Sequence, residues 1–397
     1  MTSKERHEAR YQRRKAKRQK VEIERANKYT RWDDTFGLAP LIDGYKSCAK
    51  ASNKRTATQI WMNSLVTNAR KEQIKLANGK WKSCGFNNFE IKERGKWRKI
   101  QSVHISEKGI QNSLCNNSLI PILRPHLIYD NGASLQGKGT DFALNRFAKH
   151  LRDHYRKHGR KGAIYFYDFS GYFSNIQTAP LVEHVTQKVI NESIMKMFKQ
   201  FVYTFGETGL GLGSQVSQIS AVFYPNKIDH FVKDQLGIHG YARYMDDGYI
   251  ICEDIDRLKE IVRMFEQKCD ELGIILNRKK CQIIKLTKQF IFLKTRFSIT
   301  ESGKVVRRIG RMVVKKERHR LRKFKNFMSM GLMSFEEIYY NFHSWLLSQK
   351  RGKPFHVWVN MIRYFNQLFN TEYKPPKIKC RRHKVLAYAS LCATREV

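Results

Sequence analysis

The stretch YARYMDDGYIIC, residues 241–252, decides how the rest of the chain is read. Apolar and aromatic residues flank the Asp246-Asp247 pair, the pattern of two strands joined by a tight turn with both carboxylates at its tip. Adjacent carboxylates repel, and a divalent cation with a taste for hard oxygen ligands, such as Mg2+, relieves that cost. Alone, the pair reads better as an ordinary acidic turn. A second element changes the balance: in GAIYFYDFSGYFSNI, residues 162–176, Ile164, Phe166 and Asp168 point to one side of a strand, so a carboxylate closes an apolar row. Laid beside the 241–252 hairpin, this strand brings three carboxylates to one point, enough to hold two metals ~3.5–4 Å apart. Phosphoryl transfer needs that kind of positioning and charge neutralisation more than any covalent group from the protein.

Composition points the same way. The 397 residues carry 75 Lys and Arg against 35 Asp and Glu, a formal net charge of +40, which suits a polyanionic partner and not neutral metabolites. The length admits two or three packed units. Apolar runs fall short of the ~20 residues needed to cross a bilayer, and no apolar stretch follows the basic N-terminus as in a signal peptide, so a soluble cytoplasmic protein that meets no membrane is expected. Eight scattered cysteines, Cys380 and Cys392 among them, lack the paired spacing of a zinc or redox site and read as reduced thiols.

Residues 1–35, dominated by KERHEARYQRRKAKRQKVEIER, form a basic N-terminal arm, either a solvated helix or disordered, and their charge favours a grip on RNA over a mere solubilising role. Helical stretches are expected near 57–76 and 110–120, with a hairpin between them in FEIKERGKWRKIQSVHI (89–105) around a central Arg-Gly-Lys turn. Alternating strands and helices follow over 163–300, and three helices from about 305. The first of these places Arg311, Lys315, Arg318, Arg322 and Lys325 on one face and Val314, Leu321, Phe324 and Met328 on its neighbour. Ser334 and Glu337 have capping-box spacing before Phe335, Ile338, Tyr339, Phe342 and Trp345, read as core.

From about residue 90 to about 300 the motifs and their order resemble the bacterial reverse transcriptases related to group II intron proteins. The Tyr-Met-Asp-Asp box is similar to that family's third palm motif, and Asp168 to the lone aspartate of the first. The resemblance implies an α+β right-hand polymerase with fingers (36–160), a palm built on a ferredoxin-like sheet (161–300), and a helical thumb with a C-terminal region (301–397). It implies RNA-directed DNA synthesis with two Mg2+ ions, Mn2+ substituting, held by Asp168, Phe169, Asp246 and Asp247. An RNA-dependent RNA polymerase and a catalytically inactive RNA-binding maturation factor are the rival readings. The implied partners are an RNA template or noncoding RNA, a DNA product, dNTPs and a small accessory protein.

Further roles come with the same resemblance. Phe173 matches the aromatic beneath the incoming sugar, where a ring excludes a ribose 2'-hydroxyl; Tyr172 is then expected on the opposite face of an extended segment. GLGLGSQVSQISAVFY (209–224) is similar to the second palm motif, which assigns Gly213 and Ser217 to the template and Gln218 to the nucleotide. Its Ser217-Gln218, where Ser-Pro is usual, looks like the enzymes of diversity-generating retroelements and of antiphage defence. Val222 stands where asparagine is common, and Pro225 is expected to kink the helix. In ERGKWRKIQSVHISEKGIQ (93–111) Arg98 and Lys108 match triphosphate-binding cations, and Lys138 stands for the arginine of another motif; in both cases lysine loses bidentate geometry. Lys280, or else Lys279, matches a general acid near the pyrophosphate, and Phe169 joins the nucleotide set. FIFLKTRF (290–297) resembles the primer-grip hairpin, with Leu293 followed by Lys294 where glycine is usual, and Arg311, Lys315, Arg318 and Arg322 would track the duplex through its phosphates.

Overall fold

The computed structural model describes residues 2–50, 52–93, 96–349 and 355–374. Arg94 and Gly95 of the expected hairpin turn, Cys380, Cys392 and the end of the C-terminal region lie outside them. The chain forms two compact units, Met1–Gly139 with Tyr165–Gln282, and Thr140–Ile164 with Ile283–Val397.

In the first unit the expected hairpin is present. Strands β1 (Phe86–Glu93) and β2 (Lys96–Val103) pair antiparallel from Phe86↔Val103 to Glu93↔Lys96. The central sheet has the order β4-β5-β3-β6, from β3 (Ala163–Asp168), β4 (Tyr241–Tyr244), β5 (Asp247–Cys252) and β6 (Gln282–Lys285); the chain crosses from one unit to the other within β3 and between the first two residues of β6. Alternation in β3 is as read, but the opposite row is buried as well, Tyr165 and Tyr167 included. The helix Ile255–Glu271 covers that row: Asp254 caps its N-terminus, and Leu258, Ile261, Phe265 and Cys269 recur at three and four residues. Phe265 meets the Tyr167 ring at 4.6 Å between centroids.

Two helical expectations need correction. The 57–76 stretch is two helices, Thr56–Asn63 and Leu65–Ala77, because Ser64 leaves helical geometry (φ −121°, ψ 39°) and the Asn68 side chain caps the Trp61 carbonyl at 3.0 Å. The 110–120 stretch is the helix Ile105–Leu114 followed by a wide π-turn, Cys115–Leu119, then Ile120–Leu123. Pro121 has no N–H to donate and its ring crowds the preceding turn, so the ladder loosens just before it. The N-terminal arm is a helix, Ser3–Tyr29, closed at its start by a Thr2/Glu5 capping box. Its last turns dock through buried Ala26 and through Glu22, which pairs with His126 and Lys188.

In the second unit β7 (Phe290–Phe292), β8 (Thr295–Ile299) and β9 (Val305–Ile309) form an antiparallel sheet. Residues 305–309 are therefore a strand, and the expected helices begin at Arg311. The helix Thr140–His158, which the sequence reading leaves with 36–160, packs here: its Phe147 ring lies 4.8 Å from Phe297 and 5.0 Å from Phe292. The helices Arg311–Ser329, Phe335–Ser348 and Phe355–Phe369 share a core of Leu321, Ile338, Phe342, Leu346, Trp358, Met361 and Phe365. The Ser334/Glu337 capping box is present, and Val314, Phe324 and Met328 pack inward as read. Phe335 is 38% exposed, so it belongs to the rim of that core. Among the described residues no helix is long and apolar enough to cross a membrane.

Candidate active site

All three carboxylates lie in the first unit. The β4–β5 register pairs Tyr244 with Asp247, so the turn consists of Met245 and Asp246 alone. Only Asp246 is at the tip; Asp247 opens β5, a correction to the expectation of both at the turn. Met245 takes a left-handed φ of 58°, which costs a non-glycine residue ~1–2 kcal/mol. Gly248 follows because a Cβ there would come within 2.2 Å of the Tyr167 ring. The end of β3 is fastened to the turn by the Phe169 N–H, which donates to the Asp246 carbonyl at 3.0 Å.

Asp168 is buried and held from below. Its carboxylate accepts from the Asn277 amide at 3.1 Å and from the Lys280 ammonium, and the Asn277 N–H donates to its backbone carbonyl at 2.8 Å. Lys280 reaches this point because residues 277–280 turn back on themselves, its N–H bonded to the Asn277 carbonyl at 2.9 Å. The electrostatics record the crowding. Burial, then the charge of Asp246 and a hydrogen bond and charge from Asp168, push the Asp247 carboxyl up to about 7. Asp246 is raised by burial with the Asp168 charge adding, against the pull of Lys280 and Arg98. Burial works against the Lys280 ammonium, but the hydrogen bond to Asp168 and the three carboxylate charges outweigh it, so its pKa lies above the ordinary lysine value. Repelling carboxylates with hard oxygens suit a divalent cation. Among the described residues no three His, Cys, Asp or Glu side chains stand arranged to enclose an ion as they are; Lys280 and Asn277 occupy the Asp168 oxygens.

Phe173 departs from the expected geometry. β3 stops at Asp168, Gly171 turns the chain at φ 53°, and Tyr172–Asn175 is a short helix, so Phe173 is not on an extension of the strand. Tyr172 is buried, donating its hydroxyl to the Ala221 carbonyl at 2.6 Å, while Phe173 is half-buried with its carbonyl accepting from Leu210 N–H at 2.7 Å. The two rings meet edge to face instead of facing opposite ways from a strand.

The helix Gln215–Phe223 starts as the glycine-rich reading expects. Ser214 caps it, accepting from Ser217 N–H at 3.2 Å, and Gly213 sits at φ 118° against the Gln101 carbonyl. Gly213, Gln215 and Gln218 share a cavity of about 240 Å3 with Ser134 and Ile120. Ser217 does not join them: it is buried, and its hydroxyl has no hydrogen-bond partner among the described residues. Past Phe223 the helix breaks as Pro225 opens a new turn, Asn226–His230. Of the expected phosphate-binding cations, Arg98 is exposed on β2 and acts on Asp246. Lys108 instead donates to the Ser102 hydroxyl at 3.2 Å, and Lys138 covers the Tyr129 ring at 4.4 Å while donating to its carbonyl.

The second unit carries the remaining expected residues. Leu293 and Lys294 form the two-residue turn between β7 and β8, both left-handed (φ 44° and 64°), the geometry that usually selects Asn-Gly. Arg311, Lys315, Arg318 and Arg322 are exposed along one helix, with the Arg318 guanidinium over the Tyr364 ring at 5.1 Å. Sequence reading missed Asn277, the Asp168 clamp, which carries no local signal. It also missed Arg243 and Asp229, a buried pair at 2.6 Å, although an arginine within an apolar strand is a signal that could have drawn attention.

The family model described as reverse transcriptase (RNA-dependent DNA polymerase) matches residues 90–331. No curated protein matches the chain. Among solved structures it is similar to telomerase from Candida albicans in complex with a fragment of telomeric RNA (11% identity, TM-score 0.46, 73% of this chain and 55% of that one). It is also similar to apo telomerase from Candida tropicalis truncated of its C-terminal domain (13% identity, TM-score 0.42, 55% and 54%). The chain thus spans about half the length of these structures. The architecture of mixed helix and sheet is that of a right-hand polymerase. The matched span covers more than half of the 397 residues and takes in Asp168, Asp246, Asp247 and Lys280 together, so the chain belongs to the reverse transcriptase (RNA-dependent DNA polymerase) family.

Proposed function

We propose that this protein is an RNA-directed DNA polymerase that extends a primer on an RNA template. The observation that carries the reading is the convergence of Asp168, Asp246 and Asp247, with Lys280 on the first of them. In the reaction the primer 3'-oxygen bonds to the α-phosphorus of a dNTP, the bond to the β-phosphate oxygen breaks, and pyrophosphate leaves. The three carboxylates and the Phe169 carbonyl would hold two Mg2+ ions, Mn2+ substituting, which when bound would lower the pKa of the 3'-hydroxyl and neutralise the leaving group. Lys280, an ammonium held at Asp168, would be the group that protonates the pyrophosphate.

The same reading gives the other residues their work. Arg98 would meet the triphosphate, and Lys108 and Lys138 would join it by leaving Ser102 and Tyr129. Gly213 and Gln218, on a shared cavity, would face template and incoming base, and Phe173 would exclude the ribose 2'-hydroxyl. The left-handed Leu293-Lys294 turn would grip the primer, and Arg311, Lys315, Arg318 and Arg322 the duplex phosphates. Fingers, palm and thumb correspond in this reading to 36–160, 161–300 and 301–397.

Gln218 after Ser217 supports a bacterial, group II intron-like enzyme of the Ser-Gln type, working in the cytoplasm in a diversity-generating retroelement or in antiphage defence. Its template would be a noncoding RNA, and a retroelement would add a small accessory protein. Primer extension on poly(rA) with an oligo(dT) primer tests the chemistry: incorporation of dTTP that stops with EDTA is expected. Preference for UTP would make the protein an RNA polymerase, and binding without extension an inactive RNA-binding factor. Neighbouring genes separate the two biological roles, by a variable-repeat target gene or a defence cluster.

A further inference from the structure

Behind the Met245-Asp246 turn lies a charged pair sealed from solvent. Arg243 and Asp229 are both fully buried, with Nε donating to Oδ1 at 2.9 Å and Nη2 to Oδ2 at 2.6 Å. Taking two charges out of water is expensive, and such pairs commonly do no better for stability than apolar residues of the same volume. The other donors of this guanidinium suggest what the pair does. Nη2 also donates to the Val222 carbonyl at 2.8 Å, on the helix whose Gln218 lines the cavity, and Nη1 donates to the Met245 carbonyl at 3.1 Å. Asp229 is itself oriented by the Tyr241 hydroxyl at 2.7 Å, which in turn accepts from the Tyr167 hydroxyl at 3.0 Å.

The Met245 carbonyl belongs to the peptide that precedes Asp246, and the Asp246 carbonyl to the peptide that follows it. Arg243 holds the first and the Phe169 N–H holds the second, at 3.0 Å. Both peptide planes on either side of Asp246 are therefore fixed, in a turn whose left-handed Met245 would otherwise relax. Only a planar guanidinium offers donors in the three directions that Asp229, Val222 and Met245 require; a lysine ammonium keeps the charge but cannot span them. We infer that Arg243, anchored by Asp229, is a positioning residue that sets the direction of the Asp246 carboxylate and ties the catalytic turn to the helix at the nucleotide cavity.

This inference rests on the polymerase reading of the site. Its test compares Arg243→Lys with Tyr241→Phe, which removes a hydrogen bond to the same Asp229 without touching Met245. Thermal midpoint, kcat and KM for dTTP on poly(rA) with oligo(dT), and Mn2+ affinity by electron paramagnetic resonance are read for each. Expected for Arg243→Lys is a kcat lower by on the order of 10²-fold, the loss typical of an ångström of misplacement. Its KM should stay within about twofold, and its Mn2+ affinity should fall well below that of Tyr241→Phe at matched thermal midpoint. Equal kcat in the two variants at matched midpoint, or a rise in KM at constant kcat, overturns the inference. If Arg243→Lys does not fold, Asp229→Asn keeps the guanidinium but removes the charge that anchors it; kcat should fall there too, and an unchanged kcat overturns the inference equally. A wild-type protein that binds Mn2+ but extends no primer refutes the polymerase reading instead, and the Mn2+ affinities then decide the positioning role by themselves.

Discussion

The N-terminal helix offers the sharpest quantitative expectation. Along Ser3–Tyr29, Arg6, Arg10, Arg13, Lys17 and Lys20 follow one another at four, three, four and three residues, and all five are exposed. At 100° per residue they fall within an arc of about 80°, a single stripe roughly 21 Å long at 1.5 Å per residue. Lys4, Lys15 and Arg18 lie well off it. If the stripe tracks a phosphate backbone, replacing all five by glutamine removes five ionic contacts. The slope of log K against log salt then flattens by about 3.5 on single-stranded RNA and about 4.5 on a duplex. Between 50 and 200 mM salt that amounts to on the order of 10²-fold in relative affinity. The helix itself should survive, because the exchange removes like-charge repulsion between Arg6 and Arg10 and between Arg13 and Lys17, ~0.2–0.5 kcal/mol each. Filter binding of the full chain to RNA across a salt series, with circular dichroism as the folding control, measures both quantities. An unchanged slope, or the same flattening from Lys4, Lys15 and Arg18 replaced together, would refute the stripe and return the helix to a solubilising role.

Three other outcomes follow from the site and its surroundings. Asp246→Asn and Asp168→Asn should each abolish primer extension while RNA affinity stays within about twofold, since the basic surfaces that dominate binding are untouched; extension at the wild-type rate by either variant in Mg2+ would defeat the active-site assignment. Phe173→Val should raise ribonucleotide over deoxynucleotide incorporation in single-nucleotide extension, because it removes a repulsive element. The control is Tyr172→Phe, which loses only the bond to the Ala221 carbonyl, about 1 kcal/mol of stability, and an identical dNTP to rNTP preference in wild type and Phe173→Val would remove the gate. Burial beside Phe223, then the charges of Lys227 and Lys188, hold His184 down to about 4 from an ordinary value of 6.5. The neutral form is thus favoured by folding, so its contribution, at most about 3 kcal/mol, is complete above pH 6.5 and fades as pH falls toward 4. Urea denaturation of His184→Gln should show a shallower loss across that window, and parallel curves for variant and wild type would count against the assignment.

Much of this molecule is written locally in its sequence. The tight turn at Asp246, the β1–β2 hairpin, the Ser334 capping box and the two faces of Arg311–Ser329 depend on turn chemistry and on periods of 2 and 3.6 residues, which neighbouring residues set among themselves. The expectation of cation chemistry came from the same local reading, because an Asp-Asp pair and a lone aspartate closing an apolar strand both carry a repulsion or desolvation cost that a cation would offset. The tertiary structure decided what depends on residues far apart in the chain. Asp168 acquires Asn277 and Lys280 from more than a hundred residues away, and Arg243 finds Asp229 and Val222 only when strand and helix meet. Phe173 leaves the strand because Gly171 permits the turn and burial of Tyr172 under Ala221 favours it, neither of which a pattern of alternation can register. Thr140–His158 joins β7–β9 through Phe147 although the chain places it beside the first unit. Periodicity tells a residue which side to face; which partner waits there is set by burial and hydrogen bonding across long sequence separations, and those exist only in the folded chain.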